Sequence, residues 1–279
     1  MAAVVSDERI HELEATAREI RRDIIRMVRT AGSGHPGGSL SVTDLLTALV
    51  FEEMHLDPAT PDDPNRDRLV LSKGHAAPAL YAALAHRGYL PHDELATLRQ
   101  LGSRLQGHVD RSKLPAIEAS TGCLGQGTGM AVGMALDARL AGRSNRVYVV
   151  LGDGECQAGP TWEALMAGGH YRLSNLVVVL DRNGYETDGS TESLMGIEPI
   201  LEKFRAFRYH TIDLDGHDLR AILCALAEAR TVTSGPTALV ARTVKGKGVS
   251  FMENTHVYHG KAPTAAEAER ALAELGGSA

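Results

Sequence analysis

Between residues 6 and 30 apolar side chains recur at Ile10, Leu13, Ala17, Ile20, Ile24, Met27 and Val28, three or four positions apart. That spacing places them on one face of a helix, with Ser6 or Asp7 as its N-cap. The pattern stops at the glycine-rich run 31–38, and a second amphipathic stretch follows over about 42–54. Two runs, VYVVL at 147–151 and LVVVL at 176–180, have almost no polar interruption. Their length and β-branched content predict strands buried on both faces. Residues 162–171 between them read as a helix, and 210–214 and 237–241 supply further strands separated by a helical stretch over 218–231. Strand and helix alternate, which predicts an α/β fold with a parallel sheet flanked by helices on both faces. No repeat, low-complexity tract or linker divides the chain, so a single domain over 1–279 is expected, with only the alanine-rich tail after Pro263 peripheral.

Composition narrows the functional classes. With 43% hydrophobic residues the chain can bury a sizeable core, which excludes disordered and fibrous classes. Acidic residues outnumber basic ones by 35 to 29, and the basic ones are scattered, so no nucleic-acid footprint is visible. No stretch approaches 18 apolar residues, and the N-terminus lacks the basic flank and apolar core of a signal peptide. No membrane partner is expected, and a cytoplasmic location is. Cys123, Cys156 and Cys224 form no CxxC pair, which fits a reducing compartment, and they carry no chemistry in this reading.

In parallel sheets ligands gather beyond the carboxyl ends of the strands. Asp153 lies just past the first apolar run and Asn183 just past the second. A carboxylate and an amide oxygen are hard ligands of the kind magnesium or calcium prefers, and a diphosphate would complete the shell. Gly152 and Gly154 permit close backbone approach to an anion, and the helix start near Trp162 adds N–H groups if the loop brings it within reach. A GDG alone is usually an ordinary turn. The second loop at an equivalent strand end is what turns the pair into a site.

His35, His75, His108 and His259 all sit next to glycine or in glycine-rich loops. Imidazoles placed that way can face a cleft, hydrogen-bond hydroxyls or phosphate, and move protons near neutral pH. A lone histidine is more often a plain surface or interior group. His256 and His259 are three apart, but no HExxH or cysteine cluster completes a zinc site there. The glycines at 125, 127 and 129 follow a poor strand and miss the dinucleotide spacing.

The GDG at 152–154 followed by Asn183 resembles the signature of thiamine-diphosphate enzymes. Over residues 20–263 the chain is similar to the amino-terminal half of transketolases. The segments that carry the resemblance are SGHPG at 33–37, DRLVLSKGH at 67–75, GH at 107–108, STGCLGQG at 120–127, GDGE at 152–155, WEA at 162–164, KGKG at 245–248 and HGKAP at 259–263. The resemblance implies a thiamine-diphosphate-binding fold and ketol transfer from a ketose, with sugar phosphates as expected substrates, to an aldehyde. It implies Mg2+ (or Ca2+) held by Asp153, Asn183 and the Tyr185 carbonyl. It makes His75, Gly122, Leu124, Gly154, Glu155, Asn183 and His259 contacts of the cofactor. His35 and His259 would flank the carbon whose bond breaks, and His108 would meet the terminal hydroxyl of the two-carbon unit.

In that family a second domain binds the aminopyrimidine and supplies an activating glutamate. No segment of this sequence resembles it, so a separate carboxyl-half subunit is expected, in a heterotetramer of two of each chain. The sequence departs from the family pattern at Ala158, where a second acidic residue usually follows GDGE, and at Val109 and Thr187. Other readings are a 2-oxoacid dehydrogenase component, a 1-deoxyxylulose-phosphate-type or acyloin-type synthase, or a noncatalytic cofactor-binding subunit.

Overall fold

The computed structural model describes residues 5–276; residues 1–4 and 277–279 of the expected single domain lie outside the described residues. The chain opens with α1 (Asp7–Ala31), capped by the Ser6 hydroxyl and closed by Gly32 in the left-handed conformation. Next come α2 (Pro36–Ala48), a π turn (Leu49–Glu53), β1 (Arg68–Leu71), a short 3-10 turn (Gly74–Ala76) and α3 (Ala77–Arg87). A 3-10 segment (His92–Thr97) precedes α4 (Gln126–Leu140) and β2 (Val147–Gly152). The turn Gly154–Gln157 leads into α5 (Gly159–His170), β3 (Leu176–Arg182), α6 (Thr191–Met195) and α7 (Ile200–Ala206). The last elements are β4 (His210–Asp215), α8 (Leu219–Thr231), β5 (Thr237–Arg242) and α9 (Ala265–Glu274).

All five strands are parallel, in the order β1-β2-β3-β5-β4. Alternate side chains of each inner strand enter two separate cores. Tyr148, Val150, Val177, Val179 and Leu239 pack under α1, α2, α3 and α8, whereas Val147, Val149, Val178, Leu180 and Val240 pack under α4, α5 and α7. Burial on both sides is why β2 and β3 read as unbroken apolar runs, and each such valine or leucine contributes about 1.5–3 kcal/mol. β1 and β4 are the edge strands, and β4 is half exposed. Among the described residues no helix is long and apolar enough to cross a membrane.

Two expectations need correction. The second helix begins at Pro36 rather than near residue 42, and it is buried on every side instead of being amphipathic. Pro36 suits the first helical turn, where its missing N–H costs nothing. The polar side chains of α2 are satisfied internally: Ser39, Thr43 and Thr47 donate to the carbonyls four residues back at 2.7–2.9 Å. Asp44 pairs with Arg21 at 2.6 Å and His217 at 2.7 Å. The tail after Pro263 is not peripheral either. A capping box between Thr264 and Glu267 starts α9, and Ala268, Ala271 and Leu272 are buried among the residues of the α1-side core. Arg22 of α1 ties down the helix end by donating to the Leu275 carbonyl at 2.7 Å.

Candidate functional site

A cleft opens at the carboxyl ends of the strands, lined by Gly38, Lys73, His75, Leu124, Gly152, Asp153, Gly154, Glu155, Asn183, Tyr185, Glu186, Thr187, Lys245 and His259. Four successive strand ends therefore contribute: Lys73 follows β1, Asp153 follows β2, Asn183 follows β3 and Lys245 follows β5. The strands stop there because each apolar run gives way to glycine or polar residues, and parallel registry brings those stops to one edge.

The four histidines converge. The His35 ring lies 5.4 Å from His75, 5.6 Å from His108 and 5.6 Å from His259, centroid to centroid, and His75 lies 5.0 Å from His259. His35 caps α2, His75 sits in the 3-10 turn after β1, and His108 and His259 come from loops. Burial lowers the pKa of His35 to about 4, helped by the nearby charges of His108, Arg99 and Lys245. Burial and Lys245 lower His259 to about 3. His75 and His108 shift down for the same first reason. All four are neutral imidazoles at pH 7. Lys245 Nζ lies 2.8 Å from His259 Nδ1, so the ammonium donates there and leaves the ring proton on Nε2. Among the described residues His35 Nδ1 is buried without a partner.

Below the imidazoles lies a charged floor. Lys73 is buried against Asp181, which also accepts from Ser41 at 2.6 Å, from Asn183 at 3.2 Å and from Thr243. Burial would raise the Asp181 carboxyl, but Lys73 and these donors hold it below the usual range. Gly38 makes room for this arrangement, because a Cβ there would lie 3.2 Å from His75 Nε2 and 3.5 Å from Lys73 Nζ. Lys245 is different. It is 1% exposed, donates to the Tyr185 and Glu186 carbonyls at 3.1 Å each, and has no carboxylate partner among the described residues. Burial lowers its pKa to about 8, and the repulsion of Lys73 adds to this. A buried ammonium without a counter-ion suits an incoming anion.

Asp153 and Asn183 face the same cleft, 2% and 7% exposed. Asp153 accepts from Arg182 at 3.0 Å and from the Gly184 N–H at 2.5 Å, yet burial and the charge of Asp181 raise its pKa. A carboxylate still short of positive charge suits a divalent cation. Asn183 Oδ1 accepts from the Tyr185 N–H at 3.1 Å. The Tyr185 carbonyl lines the cleft but is met by Lys245, so one of its two lone pairs is engaged.

Of the other residues expected at the site, Gly154 and Leu124 line the cleft, and Gly122 packs against the His108 ring. Glu155 also borders it, but its oxygens are engaged by Ser72, by Gly125 N–H at 2.7 Å and by Gly152 N–H at 3.3 Å. These bonds make Glu155 a brace between the 120–127 loop and the GDG turn at the border of the cleft. The N-terminus of α5 is not among the cleft lining; the N–H groups there belong to the turn before it. Lys73 and Lys245 were not singled out from the sequence. The available signal was a lysine two (Lys73) or three (Lys245) residues past the end of a strand, a poor place for a charge without a task.

Residues 13–278 match the family model described as transketolase, thiamine diphosphate binding domain. The 6-deoxy-6-sulfo-D-fructose transketolase subunit of Clostridium sp. (strain MSTE9) is 41% identical over 97% of this chain and 98% of that protein. An apulose-4-phosphate transketolase subunit of Phocaeicola vulgatus is 37% identical over 95% of this chain and 94% of that protein. Transketolase of Mus musculus is 37% identical over 96% of this chain, which spans only 42% of its length. The solved transketolase of Leishmania mexicana superimposes with a TM-score of 0.91 at 35% identity, covering 95% of this chain and 41% of that one. Fold and cleft are those of a thiamine-diphosphate-dependent transferase. The chain belongs to the transketolase family, as its amino-terminal, thiamine-diphosphate-binding part.

Proposed function

We propose that this chain is the amino-terminal subunit of a two-chain transketolase, a single domain that transfers a two-carbon ketol unit only when joined to a carboxyl-terminal partner. The observation that carries this reading is the match to proteins named as transketolase subunits. The chain matches subunit-sized transketolase proteins nearly end to end, yet spans about two fifths of the single-chain enzymes. The partner supplies the pyrimidine-side glutamate, and two copies of each chain assemble. Leu124 at the cleft, with Met130 on α4 and Met166 on the adjacent α5, exposes apolar surface that supports such docking. The three free cysteines fit a cytoplasmic enzyme.

The residues present fit the cofactor. Among the described residues Lys245 lacks a carboxylate partner and His35 Nδ1 lacks any partner, and burial raises the Asp153 carboxyl, so it is short of positive charge. Asp153, Asn183 and the Tyr185 carbonyl hold the metal, while Lys245, His75 and the Gly154 backbone hold the diphosphate. Bound thiamine diphosphate supplies the carbanion chemistry and the metal neutralises its diphosphate. His35, neutral and with Nδ1 unpartnered among the described residues, takes the proton from the donor hydroxyl, His259 assists by donating its Nε2–H to the same oxygen, and His108 orients the terminal hydroxyl. Arg99, whose charge is felt at His35 and His108, favours a ketose with an anionic end. The named substrates of the two subunit-length relatives, a sulfosugar and a sugar phosphate, support that choice.

The test is co-purification from the native host followed by a donor screen with thiamine diphosphate and Mg2+. A stoichiometric partner, with turnover of sulfo- or phospho-ketoses, is expected. Recovery of the chain alone, or turnover confined to 2-oxoacids, contradicts the proposal.

A further inference from the structure

We infer that Asp23, His86 and His92 form a binding site for a late first-row divalent cation of the zinc class, separate from the cofactor cleft. Both imidazole Nε2 atoms lie 2.8 Å from one oxygen, Asp23 Oδ2, and among the described residues this is the group of three metal-ligating side chains whose donor atoms gather within 4.8 Å. None of the three lines the cleft of the cofactor.

The fold brings Asp23 together with His86 and His92, more than sixty residues further along the chain. Asp23 projects from the middle of α1 and His86 from the last turn of α3. Gly88, at a φ of 94°, ends α3 in the left-handed conformation, and Tyr89 N–H donates back to the Leu84 carbonyl at 2.9 Å. Leu90 is buried, and Pro91 starts the 3-10 segment that returns His92 beside His86, with the two rings edge to face at 5.2 Å. Three separate elements thus aim donors at one point.

The chemistry of the donors selects the cation. Two imidazoles and one carboxylate suit zinc and its neighbours, while magnesium and calcium prefer an all-oxygen shell. Bonds of about 2.0–2.1 Å in a tetrahedral shell separate ligand atoms by about 3.3 Å, so each ring need retreat only about half an ångström from Asp23. Asp23 is 5% exposed and His86 24%, which gives a fixed base, whereas His92 at 56% leaves an open side for entry and a water ligand. Arg26 Nη1 lies 3.3 Å from the other Asp23 oxygen and is half exposed, so it can remain or swing away.

The full-length chain is stripped with chelator, saturated with Mg2+, and titrated with zinc against a chromophoric competitor. Wild type is expected to take up one more zinc equivalent than His92→Ala and than Asp23→Asn. At a hundredfold excess over Kd, zinc should raise the wild-type Tm by about 5 °C more than it raises that of His92→Ala. His92 is exposed, so its removal leaves the fold intact, and zinc held by the cleft imidazoles is common to all variants. Equal zinc stoichiometry and equal Tm shift in wild type and His92→Ala, or no uptake by wild type, overturns the site and leaves a plain hydrogen-bonded triad.

Discussion

Replacing Lys245 by methionine tests whether the cleft is built for an anion at a cost in stability. The ammonium is buried, and the drop in its pKa from the ordinary 10.5 to about 8 corresponds to about 3 kcal/mol of disfavoured charge. Below pH 8 the folded chain carries that charge, so the cost is fully present at pH 7. Between pH 8 and 10.5 the folded state sheds the proton while the unfolded state keeps it, so wild-type stability rises with pH across that window. Methionine fills a similar volume without the charge, and water in the open cleft can serve the Tyr185 and Glu186 carbonyls. Scanning calorimetry of the ligand-free chain at pH 7 should therefore show Lys245→Met melting about 5 °C above wild type. Titration calorimetry with thiamine diphosphate and Mg2+ should show the reverse, a roughly 10- to 100-fold weaker affinity from the lost charge-assisted contact. A variant that melts lower than wild type and binds the cofactor equally well refutes the reasoning.

Asp153→Asn should keep the fold, because Arg182 retains Glu192 and Glu198, but abolish the Mg2+ dependence of cofactor binding measured by the same calorimetry. The buried neutral imidazoles predict an acid-side loss: unfolded histidines protonate near pH 6.5 while His35 and His259 hold out to about 4 and 3, so the Tm should fall steadily as pH drops through that window. A wild-type Tm flat between pH 6.5 and 4.5 would count against the enclosed cluster. Gly127→Ala forces a Cβ to 2.5 Å from Ser72 Oγ and 2.8 Å from its Cα, which should destabilise by about 1–3 kcal/mol in urea unfolding. Leu272→Ala should cost about 2–4 kcal/mol if α9 belongs to the core, and nothing measurable if the tail is peripheral.

β2 and β3 were legible because both faces of the central strands are buried, which leaves no polar position to confuse the period. β1 was not, since four residues starting at Arg68 carry too little pattern. The start of α2 was hidden by Gly37 and Gly38, which read as breakers but face close neighbours, Tyr258 and Lys245 on one side and His75 on the other. α4 buries mostly small residues such as Gly127, Ala131 and Ala135, so its inward face has little hydrophobic contrast. At the site, Asp153 and Asn183 announced themselves as polar stops after apolar runs. The convergence of His35, His75, His108 and His259 was implied by resemblance alone, because residues so far apart in the chain meet only through strand order. Lys245 escaped notice for a physical reason: burial of a lysine is set by tertiary packing and leaves no periodic trace.

Ketol transfer by the purified chain, alone and then titrated with its carboxyl-terminal partner in the presence of thiamine diphosphate and Mg2+, tests the two-chain account most directly. The account predicts no turnover from the chain alone and activity that rises to a plateau at one partner per chain. Full turnover by the chain alone, verified free of other proteins, would contradict it.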